Sequence, residues 1–455
     1  MANKNIITTQ AKTVQVEQVY FSPVVVVPPN ITVPLSATYC FLAKAEPWED
    51  DNDPPAPTLD TKSIKKVFKN IFVTKLIKTS DISPVIQRID WTTGTVYDYY
   101  QDDVNMVELD NNGNLVYNFY VKNKYDQVFK CLWNNNGAAS TSEPYFEPGS
   151  YGTNNIYTGL DGYKWKFMYT VDTGLKVKFM DKHWMPVAVG ANTPNPLVSS
   201  AGSGSIDVIN ITNGGSGYDP TNAAITIVVT GDGQGAAATA SVANGVIETI
   251  TVTNSGNNYT YANVSIVSAL GSGLEAFAPT SPIGGHGFDP ISELGCAHVM
   301  LTAEFNGDEG GILPTDIDFH QVGLMVNPTT QELSPNPANG SIYRTTTDFI
   351  VAPGFSAYTP DEWIFQGDSL ETATFSARVL SFNATTNVLY LINTTGTPVT
   401  NRPVFGDTTK TTRTLLSYTN PNFVILSGYI TFIENRTGIQ RSEDGIEQFR
   451  FVLGF

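Results

Sequence analysis

The chain has 455 residues, a length that suits about three domains. Apolar residues make up 41%, enough for at least one sizeable core, while charged residues are only 15%, against roughly 25% in an ordinary soluble domain. The net charge of −17 argues against a protein that grips nucleic-acid phosphates or anionic membrane surfaces, since both need a basic footprint.

Three cysteines, Cys40, Cys131 and Cys296, are odd in number, far apart and form no CxxC pair. Neither a disulfide framework nor a zinc site is expected, and a reducing compartment fits best. The start, MANKNIITTQ, has no apolar signal core, and no stretch is long enough to span a membrane. The expectation is a soluble, mainly β chain made inside the cell.

In chain order, TVQVEQVYF and ATYCFLAKA within residues 13–45 predict strands, being rich in β-branched and aromatic residues. EPWEDDNDPPAP (46–57) must be a loop, because its prolines fit neither a helix nor a central strand. It fails as an EF-hand: Pro54 and Pro55 stand where the turn glycine is needed, and no closing Glu follows at position 61. Residues 61–73 place Ile64, Phe68, Ile71 and Phe72 on one helical face, with Lys62, Lys65, Lys66 and Lys69 elsewhere. This reads first as an amphipathic helix with a solvated lysine face and second as a basic docking helix. Residues 80–200 carry turn signals between short aromatic strands, LVYNFYV, QVFKCLW and YKWKFMYTV, and predict an antiparallel sheet system.

At residues 201–275 the composition turns to Gly, Ala, Thr, Asn and Val. VINITNGGSGYDPTNAAITIV is echoed by TITVTNSGNNYTYANVSIV, with Tyr218 answering Tyr259. A strand, a Gly/Asn turn with a Tyr, and a strand recur, which predicts an inserted two-repeat β module. Residues 276–355 resume the aromatic style, and 356–419 predict a second small β module with NATTN as a hairpin. In the closing segment Phe449, Phe451, Leu453 and Phe455 alternate on one strand face. Phe449, Phe451 and Trp91 read as core, and the last strand as docked in a sheet.

Signals of chemistry are sparse. The four histidines form no HExxH, and no GxSxG, GxxxxGK[ST] or GxGxxG occurs. GGSGYD (214–219) and GGHGFDPI (284–291) match the core of calcium-binding β-roll repeats. Those repeats work only in tandem, so glycine-rich turns are the better reading, with His286 a polar loop residue before a catalytic one.

Several blocks together are similar to a known family. YCFLAKAEPW (39–48), VIQRIDW (85–91), VFKCL (128–132), DGYKWKFMY (161–169), FHQVGLMVNP (319–328), ITFIENR (430–436) and the terminal FRFVLGF run in order along the chain. They resemble the baseplate wedge protein of T-even-like contractile-tailed phages, the product of their gene 8. The matching residues include Pro47, Arg88, Asp90, Trp91, Trp165, Gln321, Asn327, Glu434, Asn435, Arg436 and Phe451, whereas His320 stands where the T-even member has Arg.

The resemblance implies an antiparallel β-sandwich-like core with loop and helix insertions, here residues 1–200, 276–355 and 420–455. Residues 201–275 and 356–419 have no counterpart in the T-even member and resemble small β modules of marine myophage tail proteins. It further implies a structural virion protein of the tail baseplate, assembled in the host cytoplasm. Such a protein is a homodimer that joins other wedge proteins, with no catalysis, cofactor, metal, nucleic acid, membrane or small-molecule substrate. In the family the Glu-Pro-Trp position starts a long surface loop. Glu46, Pro47 and Trp48 are then expected to fix the loop root through a large buried ring, and Glu49, Asp50, Asp51 and Asp53 to form a charged subunit contact or a merely solvated tip. The competing readings are a carbohydrate-binding tail adhesin with Tyr218 and Tyr259 as stacking platforms, and a glycanase using scattered carboxylates.

Overall fold

Segments rich in β-branched and aromatic residues fold into strands along the chain, and the protein is mainly β with several antiparallel sheets. The computed structural model describes residues 9–20, 24–27, 31–34, 37–110, 113–147, 155–188, 202–219, 225–330 and 337–455. The chain divides into two compact units. One comprises Met1–Phe21, Ser83–Met300 and Val452–Phe455, the other Ser22–Ile82 and Leu301–Phe451.

In the first unit a four-stranded sheet runs in the order Tyr120–Lys122, Gln127–Trp133, Lys164–Thr170, Ile156–Thr158. Gln127–Trp133 is buried along its whole length, as a strand covered on both faces must be. Aromatic rings fill the space around it: Tyr163 stacks on Trp165 at 5.5 Å and Phe146 on Phe167 at 3.9 Å.

The repeat module of this unit is a six-stranded antiparallel sheet running from Asn210–Ser216 to Ser272–Phe277, whose outermost residues, Asn210 and Phe277, pair with each other. Its core holds Ile209, Ile227, Ile247 and Ile250 together with both repeat tyrosines, Tyr218 and Tyr259. The glycine-rich composition has a packing reason. A Cβ on Gly271, at φ +88, would lie 2.4 Å from the Tyr218 ring, and one on Gly233 would lie 2.4 Å from the Tyr259 ring. Each tyrosine therefore needs a glycine as its neighbour.

The same unit corrects one expectation. TVQVEQVYF is not a strand: Thr9–Tyr20 is an α-helix. Thr13 and Val16, three apart, are buried, whereas Val14 is exposed, so the helical period overrides the strand propensity of β-branched and aromatic residues.

The second unit contains a five-stranded sheet in the order Ile342–Arg344, Ile71–Leu76, Thr38–Ala43, Ile317–Val326, Tyr429–Arg441. Against it packs the helix Thr61–Asn70, which buries Val67 and Phe68 beside Tyr39, Phe41 and Ile433. Asp60 caps this helix, accepting from the backbone N–H of Lys62 at 2.9 Å and of Ser63 at 3.0 Å. The bond from the Ser63 hydroxyl first, and then those backbone bonds, hold the Asp60 carboxyl down at about 2. The helix stops at Asn70, short of the predicted residue 73, because the β-branched run from Ile71 enters the sheet.

A closed antiparallel barrel completes this unit. Its strands follow the order Thr347–Val351, Val388–Gly396, Phe375–Asn383, Trp363–Gln366, Pro403–Gly406, Thr412–Thr419 and back to the first. Phe349, Ile364, Phe375, Leu389, Leu391 and Leu415 fill it. The barrel takes in Thr347–Val351, ahead of residue 356, because that strand pairs with both Val388–Gly396 and Thr412–Thr419. NATTN forms the hairpin: the Asn383 carboxamide oxygen accepts from the N–H of Thr385 and Thr386, and Asn387 sits at φ +57.

Candidate functional site

The acidic loop is an exposed, locally ordered projection from the end of Thr38–Ala43. Glu46, Pro47, Glu49, Asp50, Asp51 and Asp53 are exposed, and Trp48 is half-buried rather than buried. The Trp48 indole N–H donates to the Arg436 carbonyl at 2.7 Å, and its ring meets His320 edge-on at 6.1 Å. Asp51 accepts from the Trp48 backbone N–H at 3.1 Å and lies 3.7 Å from His320 Nε2. Asp50 accepts from the Asn52 N–H at 2.9 Å, and the loop's far side returns to the sheet where Asn435 donates to the Pro55 carbonyl. Glu49 and Asp53 are left free to project.

Beside the loop, the helix Thr61–Asn70 exposes Lys62, Lys65 and Lys66, with Lys69 half-buried. Lys66 reaches Glu46 at 3.4 Å. An open cavity of about 380 Å³ separates loop from helix and is lined by Pro47, Trp48, Pro55, Lys66 and Asn70 among others. One surface thus carries an acidic patch and a basic patch side by side.

The residues singled out by the family resemblance fall into two groups. In the second unit, three blocks far apart in sequence are neighbouring strands: Val322 pairs with Leu42 on one side and Glu434 on the other. Gln321 donates to Asn435 at 2.8 Å, Glu434 pairs with Arg436 at 3.0 Å, and the Asn327 carboxamide accepts from the Ala37 N–H while Asn327 itself sits at φ +53. Phe451 is buried with its ring edge-on to Phe432. In the first unit, Trp165 is fully buried and pairs with Cys131. Arg88 grips Asp90 at 2.8 Å and donates to the Asp181 carbonyl, and Asp90 also meets Lys122 at 3.2 Å. Burial would raise the Asp90 carboxyl, but Arg88 and Lys122 outweigh it and hold it below its ordinary value. Trp91 is half-buried, its indole donating to Ser140 at 3.0 Å.

Sequence reasoning missed a buried ionic centre in the first unit. Lys130 and Lys166, opposite each other on paired strands, are both fully buried. Lys130 meets Glu293 Oε2 at 2.7 Å and lies over the Tyr100 ring at 4.3 Å. Glu293 Oε1 accepts from the backbone N–H groups of Gly287 at 2.7 Å and Asp289 at 3.3 Å. Burial alone would raise the Glu293 carboxyl, yet Lys130 and His286 carry it down to about 2. Burial, with Lys130 opposing a second positive charge, brings His286 down to about 4, so the ring is neutral at pH 7. The segment GGHGFDPI that resembles a calcium loop therefore turns backbone donors toward a carboxylate of its own chain. Its Asp289 caps the short helix Pro290–Glu293 by accepting from the Ser292 N–H at 3.2 Å.

The two repeat tyrosines are 2% and 6% exposed, so they pack the module and are not surface platforms. All three cysteines are buried and free. Comparison with known protein families finds no family model that matches the chain, and comparison with curated proteins finds no match either.

Proposed function

We propose that this chain is a structural subunit of a phage tail baseplate wedge, a homodimer that joins other wedge proteins and performs no catalysis. One observation carries the reading: the blocks 39–48, 319–328 and 430–436, by which the chain resembles that family, are adjacent strands of one sheet. Their polar members bond to one another, Gln321 to Asn435 and Trp48 to Arg436. Residues spread over almost four hundred positions thus act as one constellation, and shared motifs mark such a common framework better than any single block.

The adjoining acidic and basic patches suit the dimer. In a two-fold contact the same surface meets itself, so the acidic loop of one copy can face the lysine helix of the other. The reading places the protein in the virion baseplate after assembly in the host cytoplasm. Quantitative mass spectrometry of purified virions, against a major tail protein, tests it. Twelve copies, a dimer in each of six wedges, are expected. Three copies would favour a trimeric adhesin, and absence from the particle would overturn the proposal.

A further inference from the structure

The geometry points to a binding site for a neutral oligosaccharide in the cleft between residues 99–103 and the repeat module. The cleft has a volume of about 530 Å³ and is lined by Tyr99, Tyr261 and Phe277 together with Gln101, Asp102 and Asp103. That volume suits a small ligand.

Both walls are held in place by the chain itself. Asp102 Oδ2 accepts from the Thr280 N–H at 2.7 Å and its hydroxyl at 2.8 Å, and the Tyr100 hydroxyl donates to the Thr280 carbonyl at 3.2 Å. Opposite, the Thr260 N–H and hydroxyl donate to Asp232 at 2.9 and 2.6 Å. The aromatic floor is equally fixed: Tyr99 meets Trp133 edge-on at 5.1 Å and Phe277 at 6.1 Å, and Trp133 meets Phe277 at 5.6 Å. Tyr261 is 56% exposed at the rim. A constellation fixed in this way meets its ligand without reorganisation.

The unused groups define the ligand's chemistry. Among the described residues, Gln101 and Asp103 make no side-chain hydrogen bond, and the lining contains two carboxylates and no Lys, Arg or His. Ionised carboxylates only accept, so the ligand must bring donors and cannot itself be an anion. Tyr99, Tyr261 and Phe277 add apolar ring surface to the lining, against which a weakly polarised C–H surface can pack. A neutral sugar meets both demands in one unit, with hydroxyl donors around its edge and C–H groups on its faces. The site is separate from the buried Tyr218 and Tyr259 and stands whether or not the chain is a wedge subunit.

The test is a glycan array carrying neutral and acidic sugars, probed with the full chain, then calorimetric titration of the best neutral glycan into native protein, Tyr261→Ala and Asp103→Ala. Both replaced side chains are exposed, so melting should be unchanged. Neutral glycans are expected to bind, with affinity falling about tenfold or more in Tyr261→Ala and also reduced in Asp103→Ala. The inference is overturned if no glycan binds, if acidic glycans are preferred, if neither variant weakens binding, or if spermine, as a cationic probe, takes the cleft in place of sugars.

Discussion

Lys130 and Glu293 show what a single pair of residues can contribute when it is fully out of water. Each charge would be costly alone, and the pair persists because the Gly287 and Asp289 N–H groups and the Tyr100 ring satisfy what the ion contact leaves over. Lys130→Met should therefore destabilise the protein by about 3–5 kcal/mol by stranding a buried carboxylate. Lys130→Met combined with Glu293→Gln should recover most of the loss, since the amide oxygen still accepts from Gly287. Guanidinium unfolding followed by near-UV circular dichroism checks both, and a single variant that unfolds like the native chain would sink the assignment. Nothing in QVFKCLW or YKWKF announced this centre. A lysine inside an apolar strand reads as an exposed position, and its carboxylate partner lies 163 residues away in sequence.

At the scale of elements, local chemistry predicted much and tertiary packing corrected the rest. The loop character of residues 46–57 followed from its prolines, and the recurring strands around Tyr218 and Tyr259 from the repeat. The helix Thr9–Tyr20 has the β-branched and aromatic composition of a strand, and only the burial of Thr13 with Val16 reveals the helical period. The helix over 61–73 was anticipated, but its end was not: Ile71 and Phe72 suit a helix face and a strand equally well, and pairing with Thr38–Ala43 decides. Asp50 and Asp51 hold the loop's own backbone, and Asp51 also lies 3.7 Å from His320, whereas Glu49 and Asp53 have no such role. Under the proposed two-fold contact, Glu49→Lys with Asp53→Lys should thus leave melting unchanged and impair self-association. Light scattering after size exclusion reads the outcome, and a variant that dimerises like the native protein would reduce the loop to a solvated tip.

For the whole molecule, the mainly β character was legible from composition and turn spacing, whereas the joining of distant blocks into one sheet was not, because strand order is set by long-range packing. The barrel should be the most autonomous part, having a closed sheet and a core of its own. Residues 345–420 expressed alone are expected to give a β-type circular dichroism spectrum and a cooperative melt; a fragment without a melting transition would show that it depends on its surroundings. The repeat module and the barrel each have paired residues near both of their ends, Asn210 with Phe277 and Asp348 with Thr419. Two backbone ends held one strand spacing apart (about 5 Å) form a standard socket. Through it an unrelated β domain with similarly close ends could be exchanged as a cassette, so that a lineage could refit this protein for new surroundings while its framework stayed as it is.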